Sequence, residues 1–167
     1  MRRIWLSLTL LALLTLTPAD AQKRRTISPA PKAAAENPKA KAARLLNLGV
    51  AYMNQQRMEQ ALKMFEQAFA LDPELSSARL NQGIALLNLQ RQEPAKATLL
   101  EAVQRDPENR RGWYNLGLLY RNLGQAGDAL AAFRKVAELD PADPDTHYFL
   151  ASLYLEQKQL KQAVAEF

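Results

Sequence analysis

Residues 110–143 read RRGWYNLGLLYRNLGQAGDALAAFRKVAELDPAD and carry apolar side chains at helical spacing in two successive runs. Asp140-Pro141 ends the second run, because proline cannot continue a helix and the residue before it is pushed out of helical geometry. Five features of this stretch recur along the chain at one constant interval. They are Gly49, Gly83, Gly117 and Ala151; Tyr52, Leu86, Tyr120 and Tyr154; Ala61, Ala95, Ala129 and Ala163; Phe65, Leu99, Phe133 and Phe167; and the pairs Asp72-Pro73, Asp106-Pro107 and Asp140-Pro141. Chance does not keep five columns in register, so the chain contains a repeated helix-turn-helix unit.

Each unit has the composition of two helices packed as a hairpin. In the first unit, Leu45, Leu48 and Tyr52 share one face of the first helix. A small residue such as Gly49 lets this helix approach its partner closely, and a large residue such as Phe65 fills the space between them. One hairpin cannot bury both of its apolar faces, so successive units must stack on one another. The sequence therefore predicts an all-α solenoid.

The columns resemble the tetratricopeptide repeat, a pattern of about 34 residues with an aromatic residue, Leu-Gly and Tyr, followed later by Ala, an aromatic residue, Ala and Pro. The second unit is more degenerate, with Arg79 and Gln82 in place of the aromatic residue and Leu, and the fourth has Ala151 in place of Gly. The resemblance covers residues 42–167 and implies a right-handed helical-hairpin solenoid. Its units are three full repeats, 42–75, 76–109 and 110–143, and one partial repeat, 144–167.

The first 21 residues have the order of a secretory signal peptide. Two arginines precede an apolar stretch from 4 to 17, and Ala19-Asp20-Ala21 predicts cleavage before Gln22. A membrane-spanning helix needs about 20 apolar residues, so we expect cleavage rather than anchoring. The chain has no Cys, the residue that bacterial lipoproteins acylate, so the mature protein is expected to be soluble. A periplasmic location is predicted, with secretion or a signal anchor as alternatives.

Residues 22–36 are rich in Pro, Ala and Lys and predict a disordered basic tether. We interpret it as a spacer, with loose attraction to an anionic envelope surface as the alternative. Asn37-Pro38 predicts a helix N-terminus and so the start of the repeat domain, 37–167. Residues 1–42 contain 8 Lys and Arg against 2 Asp and Glu, whereas residues 43–167 contain 14 against 15. The basic charge thus lies outside the repeats, and we expect no nucleic-acid partner.

Few residues suggest chemistry. The chain has no Cys nucleophile, one His, no Gly-rich phosphate loop and no cluster with metal-ligand spacing. His147 stands where the family has a packing aromatic residue, so a structural role is favoured over that of a general base. Asp72, Asp106 and Asp140 precede prolines and are interpreted as helix ends. We therefore expect no catalytic activity, no cofactor and no metal.

In the tetratricopeptide family the first helix of each repeat lines a concave groove. The resemblance therefore predicts partner-binding residues on the exposed stripe of these helices. They are Leu46, Asn47, Val50 and Asn54 in the first repeat; Leu80, Asn81, Ile84 and Asn88 in the second; Arg111, Tyr114, Asn115, Leu118, Arg121 and Asn122 in the third; and Tyr148 in the fourth. Apolar and aromatic members would form the floor and its anchors. Arg111 and Arg121 would meet an acidic side chain of a partner.

Two columns of asparagine recur in this stripe at the interval of the repeat, beginning at Asn47 and Asn54. An amide offers one acceptor and two donors, so a column of amides can hydrogen-bond a peptide backbone of any sequence. The column Asn47, Asn81 and Asn115 resembles the asparagine ladder of the O-linked N-acetylglucosamine transferases, which grips extended polypeptide in this way. The alternative is that Asn before Leu-Gly is simply common in the family. The carboxylate clamp of tetratricopeptide cochaperones is disfavoured, because Leu46 and Val50 replace the Lys and Asn that it needs.

These patterns predict a non-catalytic scaffold or adaptor of the bacterial cell envelope that binds a protein or an extended peptide in its groove. One alternative is the N-terminal regulatory or targeting part of a larger enzyme or assembly, and another is a self-assembling structural subunit. Leu160, Val164 and Phe167 are expected to form an uncovered apolar edge. Such an edge favours a fragment of a longer protein, or else a second subunit that covers it.

Overall fold

The computed structural model describes residues 37–166. The predicted signal peptide, the predicted tether and Phe167 lie outside these residues. Within them the chain forms helices and connecting turns, without a strand. The helices are α1 (Pro38–Asn54), α2 (Met58–Leu71), α3 (Ser76–Asn88), α4 (Gln92–Arg105), α5 (Arg110–Asn122), α6 (Ala126–Leu139), α7 (Pro144–Glu156) and α8 (Leu160–Glu166). Each odd-numbered helix packs against the even-numbered helix that follows it, and each hairpin packs against the next. The predicted all-α solenoid of three full hairpins and one partial hairpin is confirmed.

Helix starts and ends follow from short-range chemistry. The side-chain oxygen of Asn37 accepts a hydrogen bond from the backbone N–H of Lys39 at 3.0 Å, and Pro38 is the first helical residue of α1. The helices α2, α4 and α6 each end directly before an Asp-Pro pair. The predicted role of Asp72, Asp106 and Asp140 as helix ends is confirmed.

The two helices of each full hairpin touch at a glycine. A Cβ atom added to Gly117 would lie 2.8 Å from ring carbons of Phe133, and one added to Gly83 would lie 2.7 Å from side-chain carbons of Leu99. Gly49 faces Phe65 in the same way. Phe65, Leu99 and Phe133 are all completely buried. The regular recurrence of Gly therefore reflects a repeated close approach of two helices, as predicted.

The turn inside each hairpin contains a residue in the left-handed conformation. These residues are Gln56, Gln90, Gly124 and Lys158, with φ of 58°, 58°, 71° and 60°. The backbone N–H of the following residue donates to a carbonyl oxygen in the last turn of the odd-numbered helix, for example from Arg57 to Tyr52 at 2.9 Å. Only Gly124 is of the type that adopts this conformation readily. A sequence signal for the left-handed turn is therefore present only in the third repeat.

Candidate partner-binding groove

The predicted groove residues lie on the odd-numbered helices, and we call this set the groove face. Leu80 and Ile84 are each 6% exposed and belong to the hydrophobic core, so they contribute little open surface. Val50 and Tyr148 are 37% and 59% exposed. The remaining apolar and aromatic members, Leu46, Tyr114 and Leu118, are partly buried. The open apolar surface of the groove face thus lies on α1, α5 and α7 rather than on α3.

Aromatic side chains connect α5, α6 and α7. Phe149 stacks on Phe133, with ring centroids 4.9 Å apart, and the ring of Tyr114 meets the edges of both at 5.8 and 6.0 Å. Tyr148 lies 5.7 Å from Phe149, and the guanidinium carbon of Arg121 lies 5.2 Å above the Phe149 ring. The buried ring of Phe133 and the partly buried rings of Tyr114 and Phe149 therefore support an exposed aromatic and cationic surface at this end of the groove face.

Phe149 was not among the predicted site residues. It occupies the position of Asn115 in the next repeat, so the column of asparagines ends in an aromatic residue. The register of the repeat was the signal that could have found it. The asparagine column gives no indication of Phe149, because the residue type changes at this position whereas the register of the repeat does not.

The asparagines of the two columns differ in environment. Asn115 donates its amide hydrogen to the carbonyl of Arg111 at 2.8 Å, and Asn88 donates to the carbonyl of Ile84 at 2.9 Å. Asn47, Asn54 and Asn122 are exposed or partly exposed. Asn81 is only 7% exposed; its side chain has no hydrogen-bond partner within residues 37–166, and its amide atoms are not fully buried. Asn81 is thus the one buried member of these columns, and the described chain uses neither its donors nor its acceptor.

Arg111 and Arg121 are exposed on α5. Arg111, together with Arg110, Tyr114 and Val136, lines a pocket of about 290 Å³ whose rim also carries Asp143 and Asp145. Burial raises the pKa of the Tyr114 hydroxyl above its ordinary value, and the negative charges of Asp145 and Asp143 add to this effect. The phenol of Tyr114 therefore remains neutral at physiological pH and can donate a hydrogen bond into the pocket.

His147 is held by two acceptors. Its Nε2 lies 2.9 Å from the carbonyl oxygen of Pro141, and its Nδ1 lies 2.7 Å from a carboxylate oxygen of Glu166 on α8. The bond to Pro141 and the bond to Glu166 raise the pKa of His147 above its ordinary value, since both acceptors favour the doubly protonated ring. Trp113 makes the equivalent bond one repeat earlier, from Nε1 to the carbonyl oxygen of Pro107 at 2.9 Å. His147 therefore replaces a packing aromatic residue and ties α7 to α8.

The described residues contain no group of three His, Cys, Asp or Glu side chains placed to hold a metal ion. Across the same range, 37–166, no helix has the length and apolar character needed to cross a membrane.

Comparison with protein families gives matches to tetratricopeptide repeat models over four segments, 42–75, 76–109, 98–131 and 120–167. The hairpins, the glycine contacts and the Asp-Pro ends described above agree with the tetratricopeptide pattern. The chain belongs to the tetratricopeptide repeat family, and its fold is that of a protein-interaction scaffold. A comparison with curated protein sequences gives no match.

Solved structures with the same fold extend this result. A crystal structure of MamA is 23% identical with a TM-score of 0.72, over 75% of this chain and 74% of that one. MamA 41-end from Desulfovibrio magneticus RS-1 is 26% identical with a TM-score of 0.69, over 77% and 73% of the two chains. The first TPR domain of Spaghetti (RPAP3), bound to the HSP90 peptide SRMEEVD, is 19% identical with a TM-score of 0.69, over 72% and 95%. Tetratricopeptide solenoids of this size thus include one that binds a peptide.

Proposed function

We propose that this chain is an adaptor of the bacterial cell envelope that binds a protein or an extended peptide on its groove face. The observation that carries the proposal is Asn81, a nearly buried amide on the groove face that no described residue satisfies. The amide atoms of Asn81 are not fully buried and no described residue uses them, so they are available to the main chain of a partner. The peptide bound to the Spaghetti domain supports the same mode of action on this fold.

The surroundings of Asn81 suit a polypeptide. Val50 and Tyr148 offer exposed apolar surface, and apolar area removed from water contributes about 25 cal/mol per Å². A main-chain amide that pairs with Asn81 would be read independently of its side chain, whereas the apolar groups would select side chains. Leu80 and Ile84 pack α3 against the hydrophobic core, so the backbone that carries Asn81 is already ordered before a partner binds.

Site-specific photo-cross-linking tests this function. Replacing Tyr148 with p-benzoylphenylalanine changes one exposed aromatic residue into another and places the photoreactive group on the groove face. Ala131, exposed on α6, provides the matched control position. We expect irradiation of the full chain in its bacterial host to yield a protein adduct at position 148 and none at 131. Equal labelling at both positions, or none at either, would contradict a groove-specific partner.

The proposed location in the envelope rests on the signal-peptide pattern of residues 1–21. A fusion of residues 1–36 to alkaline phosphatase, which becomes active only after export, should be active. The same fusion without residues 1–21 should be inactive. N-terminal sequencing of the exported chain is expected to begin at Gln22. An active fusion without these residues would refute export by this segment.

A second candidate function is self-association through α8. Leu160 and Val164 are 64% and 76% exposed on this helix. Leu130, the equivalent of Val164 in the preceding repeat, is only 7% exposed because it packs in one cluster with Leu150 of the next hairpin. A second copy that covers α8 would repeat this internal junction. Light scattering of the full chain should then give a mass that rises with protein concentration. The double variant Leu160→Gln, Val164→Gln should abolish this rise. A mass of the parent chain that stays constant with concentration would argue against self-association.

A further inference from the structure

The arginines of the described chain differ in how their guanidinium groups are bound. Six of them donate hydrogen bonds that a neighbouring side chain or carbonyl oxygen accepts. They are Arg57, Arg79, Arg91, Arg105, Arg110 and Arg134. Arg44 also interacts within the chain. The guanidinium groups of Arg111 and Arg121 have neither a hydrogen bond nor an ion pair with any of residues 37–166, and both lie on α5 in the groove face. The unpaired guanidinium groups are therefore concentrated where a partner is proposed to bind.

Arg121 is positioned before any ligand arrives. Its guanidinium carbon lies 5.2 Å above the ring of Phe149, which itself stacks on the buried Phe133 at 4.9 Å. A guanidinium group above an aromatic ring is attracted by the face of the ring, and its N–H groups can still bind a carboxylate. Because the ring restrains the side chain, less conformational freedom is lost when this contact forms.

Arg111 is surrounded by mixed charge. It shares its pocket with Asp143 and Asp145, neither of which lies close enough to form an ion pair with it. Asp143 accepts a hydrogen bond from the hydroxyl of Thr146, and Asp145 is exposed in the first turn of α7. A carboxylate that approached Arg111 would meet these two negative charges as well, so Arg121 should contribute more to binding an acidic group than Arg111 does.

From these features we infer that the partner presents an extended acidic segment, with side-chain carboxylates that pair with Arg121 and, more weakly, with Arg111. This inference rests on the proposed function of the groove face. A nucleic acid is disfavoured as the source of negative charge, because residues 43–167 contain 14 Lys and Arg against 15 Asp and Glu and lack the excess positive charge that attracts a dense polyanion. An acidic polypeptide suits the site because Val50, Tyr148 and the amide of Asn81 suit apolar side chains and a main chain.

Three fluorescent peptides test the inference. Each is about ten residues long, spans roughly 35 Å when extended, has an amidated C-terminus and shares one background of Leu, Ala and Gly. Two positions carry Glu in the first peptide, Gln in the second and Lys in the third. Fluorescence anisotropy with the full chain should give about tenfold tighter binding of the Glu peptide than of the Gln peptide, and weaker binding still of the Lys peptide. The preference should decrease as ionic strength rises.

Variants of the chain locate the preference. Arg121→Gln should reduce the Glu-over-Gln preference to about twofold, and Arg111→Gln should reduce it less. Lys63→Gln removes one exposed positive charge of α2 and should leave the preference unchanged. Urea denaturation of each variant verifies that the fold is intact. The guanidinium groups of Arg111 and Arg121 make no hydrogen bond within the described chain whose loss would destabilise the fold.

The outcomes separate the inference from the proposed function. Equal binding of the Glu and Gln peptides, tighter binding of the Lys peptide, or binding of no peptide would overturn the acidic partner. So would a preference that survives Arg121→Gln, or one that appears only with a free C-terminal carboxylate. If a neutral peptide binds and Asn81→Ala weakens it, the groove remains a binding site and only the acidic chemistry fails. Failure of the groove itself is read separately, from the absence of a cross-link at Tyr148.

Discussion

Gly117→Ala tests whether the repeated glycine exists for close packing of helices. The added Cβ would lie 2.8–2.9 Å from three ring carbons of Phe133. That ring is completely buried, stacked against Phe149 at 4.9 Å and in contact with Tyr114 at 5.8 Å. Because the ring is enclosed by other aromatic groups, it cannot turn away as the end of a flexible chain would.

The size of the effect follows from two opposing contributions. Overpacking a well-filled core costs about 1–3 kcal/mol, whereas Ala is about 1 kcal/mol more favourable than Gly within a helix. Because the Cβ would approach three carbons of an enclosed ring, the overpacking cost should lie in the upper part of this range, about 2–3 kcal/mol, and we expect the free energy of unfolding to fall by about 1–2 kcal/mol. Gly83→Ala should cost less, because its Cβ would meet the aliphatic side chain of Leu99, which can shift.

Urea denaturation followed by circular dichroism measures these changes. Gly127→Ala is the matched control, because a Cβ at this position of α6 would meet nothing within 4 Å. The control should move the midpoint slightly upwards, whereas Gly117→Ala should lower it by about 0.5–1 M. If Gly117→Ala were as stable as the parent chain, the packing explanation of the glycine column would be wrong.

Two further predictions concern turns and pH. Gln90→Gly should raise the free energy of unfolding by about 0.5–1 kcal/mol, because Gly adopts the left-handed conformation of this position without strain. Gly124→Ala should lower the free energy of unfolding by about 1 kcal/mol for the opposite reason. Urea midpoints of the two variants that move in the same direction would contradict this explanation. The raised pKa of His147 means that the doubly protonated ring, which donates to both Pro141 and Glu166, stabilises the fold fully below about pH 6.5; as pH rises through the higher folded-state value the ring keeps one N–H, and the stabilisation from the second bond is lost. His147→Trp keeps one bond, as Trp113 does, so its urea midpoint relative to that of the parent chain should rise between about pH 5.5 and pH 8.5; a pH-independent difference would exclude the mechanism.

The fold could be predicted from the sequence because its determinants repeat. Leu99 replaces the Phe of the neighbouring repeats, yet it meets Gly83 at the same place in the hairpin. Asp106-Pro107 ends α4 just as Asp140-Pro141 ends α6. Each contact depends on residues within one unit or in adjacent units, so the pattern of a single repeat contains almost all of the information that sets it.

The burial and hydrogen bonding of individual side chains could not be predicted in the same way. Asn81 and Asn115 occupy equivalent positions, but one is nearly buried without a partner and the other donates to its own helix. The left-handed turn residues Gln56 and Lys158 also carried no signal, since the backbone bonds of the turn impose a conformation that neither side chain favours. The hydrogen bonds of a side chain and the conformation of a turn depend on competition between bonds within one helix and contacts with neighbouring residues. A repeated residue type does not show which of these prevails.

The repeated columns of this chain are therefore of two kinds, those that pack inside the hairpins and those on the groove face. Columns inside the hairpins vary little, with Leu99 in place of Phe and Ala151 in place of Gly, because a change of volume there disturbs the packing of two helices. Positions of the groove face change along the chain: Asn47, Asn81 and Asn115 give way to Phe149. The position of Arg121 holds Met53 and Leu87 in the two preceding repeats. A change on the groove face alters what can bind without altering how the hairpins stack, so one scaffold can present apolar surface on α1 and cationic and aromatic surface on α5 and α7. This separation explains how selectivity for a partner can arise in a fold whose stability depends on repetition.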